Sequence, residues 1–437
     1  MSTLMNAGAT TADAADAFLD AAAGAPRTAH PVITGIGIAA PTGLDLAAHW
    51  TATVEGRSGI VELEGLQDSA YPSLLAGTVA GFDDARRVPS RLLPQTDRVT
   101  RLALHAAQQA LLDAGADTTA ASDEEFRMGV VLSNGQGGFE FTHREFRKLW
   151  SKGPGFVSVY ESFAWFYACN TGQISIRHAL RGPSAALVAD QAGGLDAIGY
   201  ARRGVRRGTS LVLTGGLDSA LDPWGFASQH APGDTARGVG AAYLPFSPRA
   251  RGHVPGEGGA VLVLEDAESA AARGAKQVYG AVSGYRASFD PAPGSDRPPT
   301  LERAIRGALA DAGLEPCEVD AVFADGAGNP AADASEAAAL AAVFGPHGVP
   351  VTVPKTLTGR LCAGGGPLDV ATALLAIRAG LIPPSGPTDA PDRQYRLDLV
   401  RQARPARLRN VLILARGRGG FNSALVLSAP PTALSHH

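Results

Sequence analysis

The chain has 437 residues, 45% apolar and 18% charged, with a formal net charge of −4. This is a globular composition able to bury a sizeable core; it excludes a disordered chain and argues against general nucleic-acid binding, which needs a basic field. Cys169, Cys317 and Cys362 form no C-x-x-C pair and no run of about eighteen apolar residues occurs, so no zinc knuckle, disulfide framework or membrane span is expected, and a reducing, cytoplasmic setting fits.

Residues 1–30 are rich in Ala, Thr, Gly and Asp and read as a flexible N-terminal extension. Asp13, Asp16 and Asp20 precede the first basic residue, Arg27, the reverse of a secretory signal. Strand-like runs then alternate with helical ones. Strands are predicted at Val32–Ile38, Met128–Ser133, Ser184–Ala189, Thr209–Thr214, Ala260–Glu265, Val278–Ser283, Val319–Ala324, Val349–Val353, Asn410–Ala415 and Ser423–Ser428. Several are unbroken apolar runs, as in strands covered on both faces. Helices are predicted over 97–114, 191–203, 301–312, 334–344 and 368–379, with Gly115 and Gly313 as stops and Thr300 as an N-cap. The alternation predicts an α/β layered fold. The run from Gly258 to Leu264 echoes the run from Gly419 to Leu427. A duplicated half and a chance likeness of Gly-rich strand starts both account for that echo.

The run Ser184 to Leu195 reads as a buried strand, a tight small-residue turn and a helix, with Gln191 at the turn. A residue so placed sits at a helix N-terminus, where free N–H groups stabilise negative charge, the layout of a nucleophile elbow. An amide there exchanges hydrogen bonds but forms no thioester.

On these features the chain resembles the β-ketoacyl synthases of the thiolase superfamily. Within them it is similar to the chain length factors, the ketosynthase-beta subunits of bacterial type II polyketide synthases. The resemblance spans about 31–428 and rests on several motifs in order. They include Val32 to Gly37, Glu55 to Ile60, Tyr160 to Tyr167 with Arg181 to Ser184, Ala189 to Gly194, Val254 to Gly259 and Pro354 to Arg360. It implies a thiolase-like five-layered α/β/α/β/α sandwich of two duplicated halves, 31–275 and 276–428, with a tail at 429–437.

A condensing ketosynthase carries a Cys at the elbow and two His in later motifs. At those positions this chain has Gln191, Asp325 within Ala324 to Pro330, and Arg360 after Lys355 and Gly359; Glu336 keeps the family's acidic position. None of the ten histidines falls in either motif. Condensation needs a thiolate and neutral donors around a growing enolate, and Asp325 brings the wrong sign of charge. Arg360 near Asp325 suggests an ion pair sealing a vestigial pocket, with Lys355 and Glu336 in the same polar network. Gln191 then either only satisfies backbone groups or mimics a thiol and supports malonyl decarboxylation. Cys169 and Cys362 read as small core residues.

Phe139, Thr142 and Phe146 share one helical face, which alone reads as a core stripe. The resemblance makes this face, with Phe163, the lining of a polyketide tunnel, where bulky rings favour an octaketide-class limit. Arg202, Arg203, Arg206 and Arg207 form a basic cluster that is either a solvated face or a docking point for an acidic acyl carrier protein. The resemblance further implies a heterodimer with a ketosynthase-alpha subunit that supplies the Cys-His-His site. Malonyl units and the poly-β-keto chain arrive on the carrier's phosphopantetheine; this chain itself uses no metal or soluble cofactor.

Overall fold

The structure, a computed structural model, describes residues 29–430 other than 65, 67–70, 119–122, 239, 293 and 387–388. The expectations for residues 1–28 and 431–437 lie outside the described residues.

Ten strands of the main sheet fall into two sets of five. The first comprises β1 (Pro31–Ala39), β2 (Met128–Ser133), β3 (Ser184–Leu187), β4 (Leu211–Asp218) and β5 (Gly258–Asp266), in the spatial order β3-β2-β4-β5-β1. The second comprises β6 (Gly280–Phe289), β7 (Ala321–Phe323), β8 (Pro350–Thr352), β9 (Asn410–Arg416) and β10 (Phe421–Ser428), in the order β8-β7-β9-β10-β6. In each set the first three strands run parallel and the last two joins are antiparallel. The orders match strand for strand, so the fold is duplicated, and the sequence echo opens the equivalent strands β5 and β10. Val32 pairs with Ala281 and Ile33 with Gly280, joining the sets into one sheet, which Asp398–Leu399 extends beside β8.

Side-chain alternation places the helices. Along β5, Ala260, Leu262 and Leu264 pack in the cluster holding α4 (Gly193–Arg206) and α7 (Gly365–Ala379). Val261 and Val263 point the other way, towards α1 (Arg98–Ala114) and α3 (Cys169–Arg177). Along β10, Leu425 and Leu427 face the central helices, whereas Ala424 and Val426 face α5 (Leu301–Ala312) and α6 (Pro330–Phe344). The layers are therefore helix, sheet, helix, sheet, helix. Contact between β1 and α1 is backbone to backbone: a Cβ on Gly37 would lie 1.8 Å from the Ala106 carbonyl oxygen.

Three expectations change. The Ser184–Ala189 strand ends at Leu187 and is not buried: it is the outer edge of the first set, with Ser184 and Ala186 exposed. The Val278–Ser283 strand starts later and runs on to Phe289, because β10 pairs with it over that length. Thr300 is the N-cap residue of α5, but its hydroxyl goes to Ser288 and Asp290 and bonds no helix N–H. Among the described residues no helix is long and apolar enough to cross a membrane.

Candidate functional site

The strand–turn–helix corner occurs twice. After β3 the chain makes a tight turn over Asp190–Ala192 and enters α4; after β8 it turns over Cys362–Gly364 and enters α7. Asp190 and Cys362 both hold a left-handed φ of +49°. Such a conformation in a non-glycine residue is locally strained and is imposed by the surrounding structure. Gln191 follows Asp190, lines a cavity of about 380 Å³ and makes no side-chain hydrogen bond to another described residue. The expectation that its amide satisfies backbone groups does not hold.

Asp325 and Arg360 meet across this cavity in a two-pronged ion pair. Nη1 lies 2.9 Å from Oδ2 and Nη2 lies 3.1 Å from Oδ1, with both side chains buried. Bidentate pairing of this kind fixes geometry as well as charge. Burial would raise the Asp325 carboxyl, but Arg360 and then Lys355 outweigh it and hold the group below the usual carboxylate range. The Glu336 carboxylate accepts the backbone N–H groups of Asp325 and Gly326 at 2.7 and 2.9 Å, which fixes the loop leaving β7. Lys355 donates to the Ala324 carbonyl and pairs with Asp369 at 2.6 Å. The structure thus brings Gln191, Asp325 and Arg360 to one cavity, and Lys355 and Glu336 support its wall. The ion pair does not seal the pocket, because the guanidinium lies along the wall, where Nη2 also donates to the Arg416 carbonyl.

His253 also lines this cavity, although it lies outside every motif that marks the site in the sequence. Burial, then the nearby Arg360, pushes its imidazole down to about 3, so it is neutral at ordinary pH. Its only sequence signal is adjacency to the Val254 to Gly259 motif. Arg416 and Arg418, also lining residues, pack on Asn422 and Asp234 respectively.

A second cavity, of about 510 Å³, opens beside α2 (Phe139–Lys152). Phe139, Thr142 and Phe146 line it together with Gln136, Trp165 and Trp224. Trp224 packs on Phe139 and Phe146 with ring centroids 5.0 and 5.8 Å apart, making a continuous aromatic wall. Trp224 lies far from α2 in sequence, on the helix Pro223–His230, and periodicity gives no sign of it. Phe163 is not among the lining residues; its ring meets Tyr160 instead. The two cavities share a support in Asp218, whose buried carboxyl accepts N–H groups from Gly135, Gln136 and Ala363. Burial pushes that group up to about 6 against these hydrogen bonds.

The basic cluster divides. Arg202 is buried, bonded to the Val282 and Ser283 carbonyls and to Asp311, so it cannot dock a carrier; it ties α4 to β6. Arg203, Arg206 and Arg207 are exposed.

The profile described as "Beta-ketoacyl synthase, N-terminal domain" matches residues 30–270 and the C-terminal domain profile matches 279–389. The chain is 60% identical over 399 residues to the actinorhodin polyketide putative beta-ketoacyl synthase 2 of Streptomyces coelicolor, covering 91% of this chain and 98% of that one. It is 52% identical to the tetracenomycin polyketide synthase ketoacyl synthase beta subunit of Streptomyces glaucescens, covering 91% and 97%. Among solved structures, the ishigamide ketosynthase/chain length factor superposes with a TM-score of 0.83 at 26% identity, covering 92% of this chain and all of that one. A type II polyketide synthase acyl-carrier protein in complex with its ketosynthase bound to the hexaketide superposes at 0.82 and 25% identity, covering 93% and 100%.

Proposed function

Since the chain belongs to the β-ketoacyl synthase family, in its ketosynthase-beta (chain length factor) branch of type II polyketide synthases, we propose that it acts by shaping a tunnel rather than by forming bonds. The observation that carries this reading is the Asp325–Arg360 pair at the two histidine positions, beside an elbow that presents Gln191. Gln191 has no sulfur to carry an acyl chain, the Asp325 carboxylate repels an enolate, and both terminal nitrogens of Arg360 are already engaged by Asp325 and the Arg416 carbonyl.

Condensation then belongs to a ketosynthase-alpha partner with its own Cys-His-His set. The place for that partner is the β3 edge. An open strand edge invites pairing with another chain, and Ile176 of α3, Tyr200 of α4 and Val188 are large exposed apolar residues on the elements around β3. The aromatic cavity beside α2 then becomes the end wall of a tunnel for the growing poly-β-keto chain. Phenylalanines at 139 and 146 favour an octaketide-class limit. The carrier protein, whose phosphopantetheine arm brings the malonyl units, has Arg203, Arg206 and Arg207 as candidate contacts. The free thiols fit work in the cytoplasm.

The test is product analysis with a ketosynthase-alpha partner, a carrier protein and malonyl units. Phe146→Ala should lengthen the product or mix its lengths; an unchanged length removes the tunnel assignment. A homodimer that ignores the partner in size-exclusion chromatography removes the heterodimer.

A second reading, malonyl-carrier decarboxylation to supply an acetyl primer, is favoured by one observation: the Gln191 amide lies on a cavity with its hydrogen-bonding groups unused. Gln191→Ala in the heterodimer tests it. Unchanged acetyl-carrier formation from malonyl-carrier protein excludes it.

A further inference from the structure

We infer that His143 and Asp222 form a clamp that sets the position of Trp224 in the aromatic wall, and with it the length at which chain growth stops; this rests on the tunnel reading above. Trp224 does not belong to α2. It occupies the first turn of the helix Pro223–His230, and the residue is 43% exposed, so packing alone leaves it loosely held. Asp222 is the N-cap of that helix: its Oδ1 accepts the N–H groups of Trp224 at 3.1 Å and Gly225 at 3.3 Å. The same oxygen lies 2.8 Å from Nδ1 of His143, which projects from α2.

His143 stands four residues after Phe139 and three before Phe146, so it leaves the same stretch of helix as the two rings that Trp224 touches. The clamp therefore joins the two sides of the wall within one helical turn of the contact it controls. Asp222 is nearly buried, its side chain 5% exposed, and its second oxygen has no hydrogen-bond partner. Apart from the two cap N–H groups, His143 is the polar side chain that closely approaches this carboxylate. Removing the imidazole leaves the cap in place but takes away the polar tie between the Trp224 helix and α2, leaving the ring contacts with Phe139 and Phe146 to hold Trp224. His143 is thus a positioning residue: it acts through Trp224 and does not touch the chain.

The experiment is product profiling by mass spectrometry with the assembled heterodimer. His143→Ala should raise the fraction of longer products several-fold, and His143→Gln, which keeps a donor, should return the profile towards that of the parent. Asp222→Ser retains a good N-cap but cannot reach His143, so it should behave like His143→Ala. It also carries the test if the alanine variant is not recovered as a heterodimer. Trp224→Ala marks the ceiling of the effect. Parental profiles in His143→Ala and Asp222→Ser, with longer products in Trp224→Ala, would overturn the clamp and leave the tunnel standing. A parental profile in Trp224→Ala as well would overturn both.

Discussion

Cys362 and Asp190 occupy equivalent corners of the two duplicated halves and touch each other, with the Cys362 sulfur 3.5 Å from Oδ1 of Asp190. The one cysteine near the elbow therefore comes from the wrong half and faces carboxylates. Burial, then Asp218 and Asp190, drives its thiol well above the ordinary range. A thiol reacts as its thiolate, so this position is inert.

Native alkylation follows directly. Cys317 is exposed, whereas Cys169 and Cys362 are buried, and burial pushes the Cys169 thiol up to about 11. Brief treatment of the folded chain with iodoacetamide near pH 7.5 should modify Cys317 alone. Peptide mass spectrometry showing comparable labelling at Cys362 would contradict the inert assignment.

The Asp325–Arg360 pair should behave as a unit. Removing one partner leaves a buried uncompensated charge, so Asp325→Ala or Arg360→Met should each destabilise by roughly 3–5 kcal/mol. The double variant should lose clearly less than the sum, because the orphaned charge is gone. Denaturant unfolding of the four proteins gives the coupling; simple additivity would mean that the pair carries no joint energy.

His49 gives the fold an acid limit. Its ring nitrogens lie 2.7 Å from the Thr42 hydroxyl and 2.9 Å from that of Thr372 on α7, and burial lowers its pKa to about 4. An unfolded His takes up its proton near pH 6.5, so between about 6.5 and 4 the unfolded chain binds the extra proton. Stability from this group is full above that window and falls as pH drops through it, by about 3 kcal/mol in all. His49→Gln should flatten that part of the stability–pH curve. A parent and variant with parallel curves from pH 7.5 to 5 would refute the assignment.

Gly37 should be intolerant of any side chain. Its ideal Cβ position overlaps the Ala106 carbonyl, which belongs to the α1 backbone and cannot rotate away. Gly37→Ala should cost at least the ~1–3 kcal/mol of an overpacked core and lower the melting temperature by several degrees, measured by thermal unfolding.

Features set by local pattern were readable before the fold. Strand and helix positions followed apolar periodicity, and the three substituted positions were those that the family resemblance implied. What failed depended on which surface another element covers. An apolar strand ending in Leu187 and Val188 reads as buried, yet among the described residues no further strand lies beyond β3. Arg202 reads as one of four clustered arginines at the end of α4, but its place in the helical turn directs it at β6. Trp224 and His253 reach their cavities through long-range contacts that no local window contains. Phe163 matched a lining position by family likeness, while the turn at Glu161–Ala164 leaves its ring against Tyr160.

The open β3 edge has a cellular counterpart. On the proposed pairing, the strand that completes this chain's sheet is supplied from outside, so molecules made in surplus over their mates expose a template for self-association. Matched stoichiometry of the two subunits then becomes a condition of solubility, imposed by four residues at the rim of a sheet.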